Sequence, residues 1–561
     1  MCGIWVYISK RKASNTISAR QLEHFYKLAH RGPDDHRISC LIDQASDSNI
    51  TMGFHRLAII DPDPSSGQPL QNGDEYLVCN GEIYNYRELL SSYGIISTTK
   101  SDCEVIIHLY RLLGTQAAVV NLDAEFAFVL YDSKNSRIVA ARDPYGVRPL
   151  FFATDGDGSA YFSSEVKGIP PECHGVPFLP NHYMTIDLKT WSISYRSYTV
   201  LPAPNSIQDS LSEITTNLHD LLTEAVRKRL MSDRPLGCLL SGGLDSSLVT
   251  SIVCKLRPDM VNTMNCYTIG MEGSVDVAAA KKVVEFLGIK NHHIVPFTVE
   301  QGIAAIDRVI YYLESYDVTT VRASTPQYCM SEWINKHTDN KVLLSGEGPD
   351  EVLPGYQYFK MATDPMVLHK ESLRLLSELY LFDNLRTDRT MAAQGLEVRV
   401  PYLDKALVAY VNSIDPNYRM CNNQMEKMIM RKAFADGNYL PEEILYRHKE
   451  AFSDAVSAKN QKSWYQRLRE YIDLQLTDAD LLLAKTTYAS FNPPETKEEL
   501  YYRRIFEKHY PGRGDLIPHY WMPKWVKQNQ RDPSATVLEC HTGDLTGGHS
   551  VVALNPLTLE C

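Results

Sequence analysis

The apolar pattern of this chain changes character once, near residue 200, and that change divides it into two folding units. Before it, short runs of β-branched and aromatic residues (4–8, 76–79, 126–131, 161–163) are separated by turn signals such as Gln71-Asn72-Gly73 and Asp155-Gly156-Asp157-Gly158. Many short strands with turn punctuation predict a mainly β or layered α/β domain. The Asp-Gly-Asp-Gly stretch resembles a calcium loop only in part; it lacks downstream acidic ligands at the required spacing, and a hairpin turn is expected. A Pro-containing stretch, residues 201–205, reads as the linker. After it, Leu211, Ile214, Leu218, Leu221, Leu222 and Ala225 recur at helical spacing. Short apolar strands then alternate with helices: 236–240 before 246–255, and 265–269 before 277–287, with further strands at 294–297 and 341–344. Such alternation predicts a doubly wound parallel sheet with helices on both faces. The C-terminal third is helical in pattern. The expected organisation is α/β in two domains, 1–195 and 206–530, with a mobile tail over 531–561.

Charge and composition remove several function classes. A formal net charge of −11 argues against nucleic-acid binding, which needs clustered Lys and Arg. The first dozen residues place their positive charges behind a short apolar run, the reverse of a secretory signal. No uninterrupted apolar run approaches the roughly 18 residues of a membrane span. The 12 cysteines are scattered without a C-x-x-C pair, as in a reducing compartment. A cytoplasmic enzyme with small-molecule substrates, and no membrane or nucleic-acid partner, is the expectation.

Cys2 follows the initiator Met. With Met1 removed, one residue carries both a thiol and a free α-amine, whose reference pKa values lie close together at about 8.5 and roughly 7.7–8.0. The amine can then take the thiol proton and return it to a leaving group. Alone, a Cys at position 2 is more often just a small residue at a chain start. Its neighbours alter that reading. Met1-Cys2-Gly3-Ile4, His30-Arg31-Gly32-Pro33-Asp34, Phe54-His55-Arg56-Leu57, Asn80-Gly81-Glu82-Ile83-Tyr84-Asn85 and Ser101-Asp102-Cys103-Glu104 together resemble the class II glutamine amidotransferase domain, in that family's order and across residues 1–190. The resemblance implies a layered α/β/β/α Ntn-type fold and attack by Cys2 on the glutamine side-chain amide. It also implies an oxyanion hole from the Asn80 side chain and the Gly81 N–H. Arg56 has the fork for the glutamine carboxylate, and Asp102 with Glu82 suits its ammonium. Leu57, Ala58, Ile59 and Ile60 are placed at the same site.

Leu239-Leu240-Ser241-Gly242-Gly243-Leu244-Asp245-Ser246-Ser247 follows a predicted strand and opens a predicted helix. Backbone N–H groups at a glycine turn and helix N-terminus make an anion cradle. The Gly-Lys-Ser/Thr ending of a P-loop is missing, and the run resembles the PP-loop of ATP pyrophosphatases, which cleave ATP between the α and β phosphates. A second acidic loop, Ser345-Gly346-Glu347-Gly348-Pro349-Asp350-Glu351, also follows a strand. Mg²⁺ takes a few carboxylates plus phosphate oxygens and water, and Asp245 and Asp350 are the candidates. The resemblance implies that Ser241, Gly242, Gly243, Ser246, Ser345 and Gly346 contact the nucleotide, with Leu240 and Ile269 against adenine and ribose.

With Tyr316-Asp317-Val318-Thr319-Thr320-Val321-Arg322-Ala323-Ser324, Gly395-Leu396-Glu397-Val398-Arg399-Val400-Pro401 and Arg447-His448-Lys449-Glu450-Ala451-Phe452-Ser453-Asp454, the chain resembles the asparagine synthetase family from Cys2 to about Trp525. Glu397 and Arg399 read as a simple pair, and the aromatic ending as packing. The resemblance implies L-glutamine, L-aspartate and ATP as substrates, β-aspartyl-AMP as intermediate with release of pyrophosphate, Mg²⁺, an internal ammonia channel and a homodimer. Thr319, Thr320 and Arg322 would hold aspartate, Lys449 would stabilise the phosphates, and Glu347 would serve adenylate formation or ammonia deprotonation. The sequence departs from the family pattern at Pro349, which removes a backbone donor, at Ala455, strained if φ must be positive there, and at Ala124 and Glu125. An amidoligase for another acid and a non-catalytic glutamine or nucleotide binder are the alternatives. Turnover of aspartate separates the first, and loss of Cys2, Asp245 or Lys449 would have favoured the second.

Overall fold

The computed structural model describes residues 1–10, 16–156, 158–421, 425–450, 452–458, 461–525 and 531–534. Asp157, Ala451 and the expected tail beyond residue 534 lie outside the described residues.

The N-terminal unit is built from β1 (Gly3–Ser9), β2 (Asp35–Ile42), β3 (Asn49–Arg56), β4 (Leu70–Asn72), β5 (Glu75–Ile83) and β6 (Ala124–Asp132). It continues through β7 (Arg137–Arg142), β8 (Phe151–Thr154), β9 (Ala160–Ser163), β10 (Val176–Pro177), β11 (His182–Asp187) and β12 (Ile193–Ser197). These form two six-stranded sheets, ordered β10-β8-β9-β1-β3-β2 and β12-β11-β7-β6-β5-β4. Alternation along each strand decides the layers. Ile4, Val6, Ile8, Ile50 and Met52 of one sheet meet Val78, Val129 and Ile138 of the other. The opposite residues are covered by helices: Trp5 packs edge-on against Phe25 of Ala19–Tyr26, and Phe126 and Phe128 pack under Val105–Asn121. The result is the α/β/β/α layering expected. β8 and β9 pair antiparallel, so the 155–158 turn does close a hairpin.

One point of the sequence reading is refined. Residues 102–121 are long and apolar enough, by length and composition, to cross a membrane. Scattered polar residues conceal this from a search for unbroken runs. The helix instead buries Ile106, Ile107 and Leu109 on the sheet and is interrupted at Gly114 (φ 76°).

The second unit is a five-stranded parallel sheet, β13 (Leu236–Leu239), β14 (Asn265–Gly270), β15 (Asn291–Pro296), β16 (Val342–Leu344) and β17 (Glu397–Arg399), ordered β15-β14-β13-β16-β17. Leu239, Tyr267, Ile269, Val295 and Leu343 enter one core, and Cys238, Leu240, Cys266 and Leu344 the other, so helices cover both faces. The sequence reading missed β17 because its Glu-Val-Arg carries no apolar run. Its charges are buried by pairing with each other, Arg399 Nε lying 2.8 Å from Glu397. The chain runs outward from β13 to β14 and β15, then crosses to β16 and β17. That reversal puts a switch point between the carboxyl ends of β13 and β16, where open α/β sheets bind ligands.

Buried ion pairs join the two units. Arg31 bonds Glu165 at 2.6 Å and Asp388 at 2.8 Å. Arg389 reaches Glu165 at 2.9 Å and Glu314 at 3.0 Å. Glu125, a departure from the family pattern, bridges Arg148 at 2.9 Å and Arg229 at 2.8 Å. Desolvation offsets most of the attraction in such pairs, so their larger effect is to fix how the units dock.

Candidate active sites

Cys2 stands just before β1, whose ladder with β3 begins at Gly3 and His55. Its partly buried sulfur accepts the Leu57 N–H at 3.4 Å. The Cys2 N–H donates to Asn80 Oδ1 at 2.9 Å, and Arg31 Nε donates to the Cys2 carbonyl at 2.9 Å. Held this way, Asn80 keeps its Nδ2 buried and without a partner. A buried donor left unmade costs roughly 1–3 kcal/mol; beside a thiol its chemistry suits an oxyanion. Next to it, a Cβ on Gly81 would stand 2.2 Å from the Glu125 carbonyl, so only glycine lets β5 lie this close to β6.

Of the other residues expected at the glutamine site, Leu57, Ile59 and Ile60 pack with Cys2. Leu57, Ala58 and Ile59 are buried and Ile60 is partly so, and Asp34 anchors their loop by accepting the Ala58 N–H at 2.8 Å. Arg56 donates to the carbonyls of Asp63 (2.8 Å), Ile60 (3.5 Å) and Asp61, so its fork shapes this loop. Asp102 accepts the Ile83 N–H at 2.7 Å, and burial pushes its carboxyl up to about 6. Burial, then Glu397 and Asp102, push the Glu82 carboxyl up as well, against the pull of Arg399 3.4 Å away. Met1 is fully buried, and its ammonium donates to Leu396 O of the second unit at 3.3 Å. Burial holds that ammonium down to about 6 and the Cys2 thiol up to about 11. With Met1 in place, Cys2 has neither a free amine nor a reactive thiolate.

The second centre lies at the switch point. Gly242 (φ +76°) turns the loop after β13, and a Cβ there would stand 2.4 Å from Ala280 N. The following helix, Leu244–Leu256, starts at Gly243 with no side-chain cap, leaving its first N–H groups for a ligand. Ser246 Oγ closes the turn, 3.1 Å from Ser241 N. The loop after β16 presses onto this helix; a Cβ on Gly346 would stand 2.5 Å from Ser246 N. Leu240, Ser241, Gly243, Asp245, Ser246, Ile269, Thr319, Arg322, Ser345, Gly346, Glu347, Asp350 and Lys449 all line one cavity of about 240 Å³. Gly242 is not among the lining residues.

The aspartate trio is split. Thr319 Oγ1 is buried without a partner at the cavity wall. Thr320 donates its hydroxyl to Asp317 at 2.8 Å, and the Asp317 side chain caps the helix by accepting the Thr320 N–H. Arg322 stacks on Tyr465, gives Nε and Nη2 to Glu498 at 2.7 and 2.6 Å, and gives Nη1 to Asp532 at 2.9 Å. Asp532 belongs to the stretch expected to be mobile; residues 531–534 instead dock here, with Pro533 and Ser534 at the cavity.

Ion pairs that no motif announced fill the charged end. Lys427 bonds Asp245 at 2.8 and 2.6 Å and Asp350 at 2.7 Å, and Lys449 bonds Asp350 at 2.6 Å. Burial alone would raise the Asp350 carboxyl, but these two ammonium groups hold it well below the usual range. Burial pushes the Glu347 carboxyl upward, opposed by Arg386 at 2.7 Å. Pro349 occupies the first position of a short helix, where an N–H would have no helical partner, and Ala455 ends the helix Phe452–Ala455. Ala455 is not among the positive-φ residues, so the strain anticipated there is absent, and Pro349 fits the backbone of its helix start.

Residues 1–215 match the glutamine amidotransferase domain family, and residues 217–366 and 361–541 match the asparagine synthase family. A protein described as a probable asparagine synthetase (glutamine-hydrolyzing) from Acanthamoeba polyphaga mimivirus is 45% identical over 96% of this chain and 100% of its own length. Asparagine synthetases (glutamine-hydrolyzing) of Gallus gallus and Homo sapiens are each 44% identical over 96% of this chain, covering 99% and 98% of their own lengths.

Proposed function

The chain belongs to the glutamine-hydrolysing asparagine synthetase family, and from that premise we propose how its two centres divide the reaction. It makes asparagine from aspartate, with glutamine as nitrogen donor and ATP as cosubstrate.

Removal of Met1 converts the Cys2 amide nitrogen into an α-amine, already oriented by Asn80 Oδ1. That amine takes the thiol proton, Cys2 Sγ attacks the glutamine amide carbon, and the proton passes to departing ammonia. Water then hydrolyses the thioester to glutamate. The partnerless Asn80 Nδ2 and the Gly81 N–H receive the oxyanion in both steps. Once glutamine is bound, Arg56 turns from its loop carbonyls to the substrate carboxylate, and Asp102 with Glu82 meets the ammonium. Met1 fills the space between Cys2 and Leu396, so its loss opens the sulfur towards the second domain and supports passage of ammonia along the interface.

At the switch point the aspartate β-carboxylate attacks the ATP α-phosphorus and pyrophosphate leaves. Ammonia then attacks the β-aspartyl-AMP carbonyl carbon and AMP leaves. The uncapped helix start and Lys449 take the phosphate charge. Glu347, its carboxyl held upward by burial, is suited to accept the proton that ammonia must lose. Thr319 offers its free hydroxyl to aspartate, and Arg322 joins it when Asp532 withdraws. Asp245 and Asp350 fit Mg²⁺, because an ammonium already bridges their oxygens where a cation would sit; bound there, the metal would neutralise phosphate charge. The ten cysteines among the described residues are free thiols, which supports a cytosolic setting; fractionation of the native protein tests it.

The observation that carries this reading is the buried, unpartnered Asn80 Nδ2 beside Cys2, on the same chain as an uncapped pyrophosphate loop. Purified enzyme should convert aspartate, ATP and glutamine to asparagine, AMP and pyrophosphate. Cys2→Ala should abolish glutamine-dependent synthesis yet keep the ammonia-dependent reaction. ADP as product, or a mature chain still bearing Met1 with full glutaminase activity, would overturn it.

A further inference from the structure

Lys427 is the residue at the second centre that neither the motifs nor the reaction scheme accounts for. It holds a left-handed backbone conformation (φ 55°) just before the helix Met428–Ala433, and its side chain is 1% exposed. Its ammonium makes three bonds of 2.6–2.8 Å, two to Asp245 and one to Asp350. The position is built, not casual. A Cβ on Gly355 would stand 2.0 Å from Asp350 Oδ1 and 2.9 Å from Lys427 Nζ, so the chain has closed tightly over the pair. The preceding Glu426 is clamped by Arg431 at 2.8 Å and by the Lys449 N–H at 2.8 Å, tying both lysine-bearing segments together.

Two carboxylates and two ammonium groups make this cluster neutral. Mg²⁺ binds carboxylate oxygens at about 2.0–2.1 Å, and Lys427 already takes three of the four oxygens of Asp245 and Asp350 while Lys449 takes the fourth. A divalent ion arriving alone would free the buried Lys427 ammonium, and the partly exposed Lys449 with it, with no anion to receive them, a costly state for Lys427. A triphosphate supplies that anion. We propose that Lys427 stands in the metal's place and makes cation binding at Asp245 and Asp350 conditional on nucleotide. Lys427 is therefore a positioning residue for the metal, and the enzyme binds metal with or after ATP, not before it. The inference rests on the ATP-cleaving reading of this centre.

Mn²⁺ uptake by the full chain, followed by the electron spin resonance of free Mn²⁺, tests it without turnover. Wild-type protein should take up Mn²⁺ at this site only when α,β-methylene-ATP is present. Lys427→Met, confirmed as folded by its melting curve, should bind Mn²⁺ without nucleotide at least tenfold more tightly than wild type, and Lys427→Arg should restore nucleotide dependence. Equal Mn²⁺ affinity of wild type with and without the nucleotide overturns the proposal whether or not any variant folds. So does equal affinity of wild type and Lys427→Met in the absence of nucleotide. Failure of the chain to bind α,β-methylene-ATP at all would overturn the reading of the centre together with this inference.

Discussion

The two centres are kept ready in opposite ways. Around Cys2 the key donor, Asn80 Nδ2, is left without a partner; the Cys2 N–H and the close approach of β5 to β6 at Gly81 aim it, while the Leu57 N–H holds the sulfur. At the switch point almost every charge is already answered by another side chain: Lys427 and Lys449 by Asp245 and Asp350, Glu347 by Arg386, and Arg322 by Glu498 and Asp532. In the proposed reaction the first centre waits for a covalent event, the loss of Met1, and then only Arg56 must change partners. The second must exchange internal partners for substrate. Preorganisation suits one oxyanion in a fixed place; exchangeable ion pairs suit a tetra-anionic substrate that arrives and leaves in pieces.

If that contrast is right, removing the prearranged donor should do most damage. Asn80→Ala is expected to lower glutaminase kcat by about 10²–10³-fold with KM for glutamine little changed, while ammonia-dependent synthesis stays intact; steady-state kinetics with each nitrogen source reads both. At the other centre Lys449→Met should slow pyrophosphate release about a hundredfold, less than a full transition-state loss because Lys427 remains nearby. A pyrophosphate-coupled assay measures it, and an unchanged rate would show that the paired lysines are only structural.

The next effect is smaller and depends on pH. The folded-state carboxyl of Asp102 ionises near 6 instead of its usual 3.8, and the residue is 3% exposed. The folded protein therefore binds more protons than the unfolded chain between about pH 4 and 6, so this residue costs stability as pH rises through that window. The cost levels off at about 3 kcal/mol above it. Asp102→Asn should flatten that part of the stability profile in urea unfolding. In the active enzyme, KM for glutamine should rise as pH falls below about 6, because the ammonium needs the ionised carboxylate, and the same substitution should erase that dependence. Smallest of all, Asp532→Ala should lower KM for aspartate by about two- to fivefold by freeing Arg322 Nη1, with KM for ATP unchanged. No change in the aspartate KM would mean that Arg322 serves Glu498 and Tyr465 alone.

Local sequence decided a great deal here. The strand-glycine-glycine-helix run at 239–247 dictates a cradle because its geometry is set by neighbouring residues, and period-two alternation dictates which faces of the N-terminal strands meet. The order of short motifs from Cys2 to Lys449 was enough to name the family and its chemistry. What the sequence could not decide are the pairings across long separations. β17 stays hidden because its Glu-Val-Arg gives no apolar signal; the local Glu397–Arg399 pair is legible, but its burial alongside β16 is not. Lys427 meets Asp245 182 residues away, Arg322 meets Glu498 176 residues away, and Met1 touches Leu396 across 395 residues. A buried charge tolerates only a partner brought to it by the fold, so the identity of that partner is a property of tertiary structure alone.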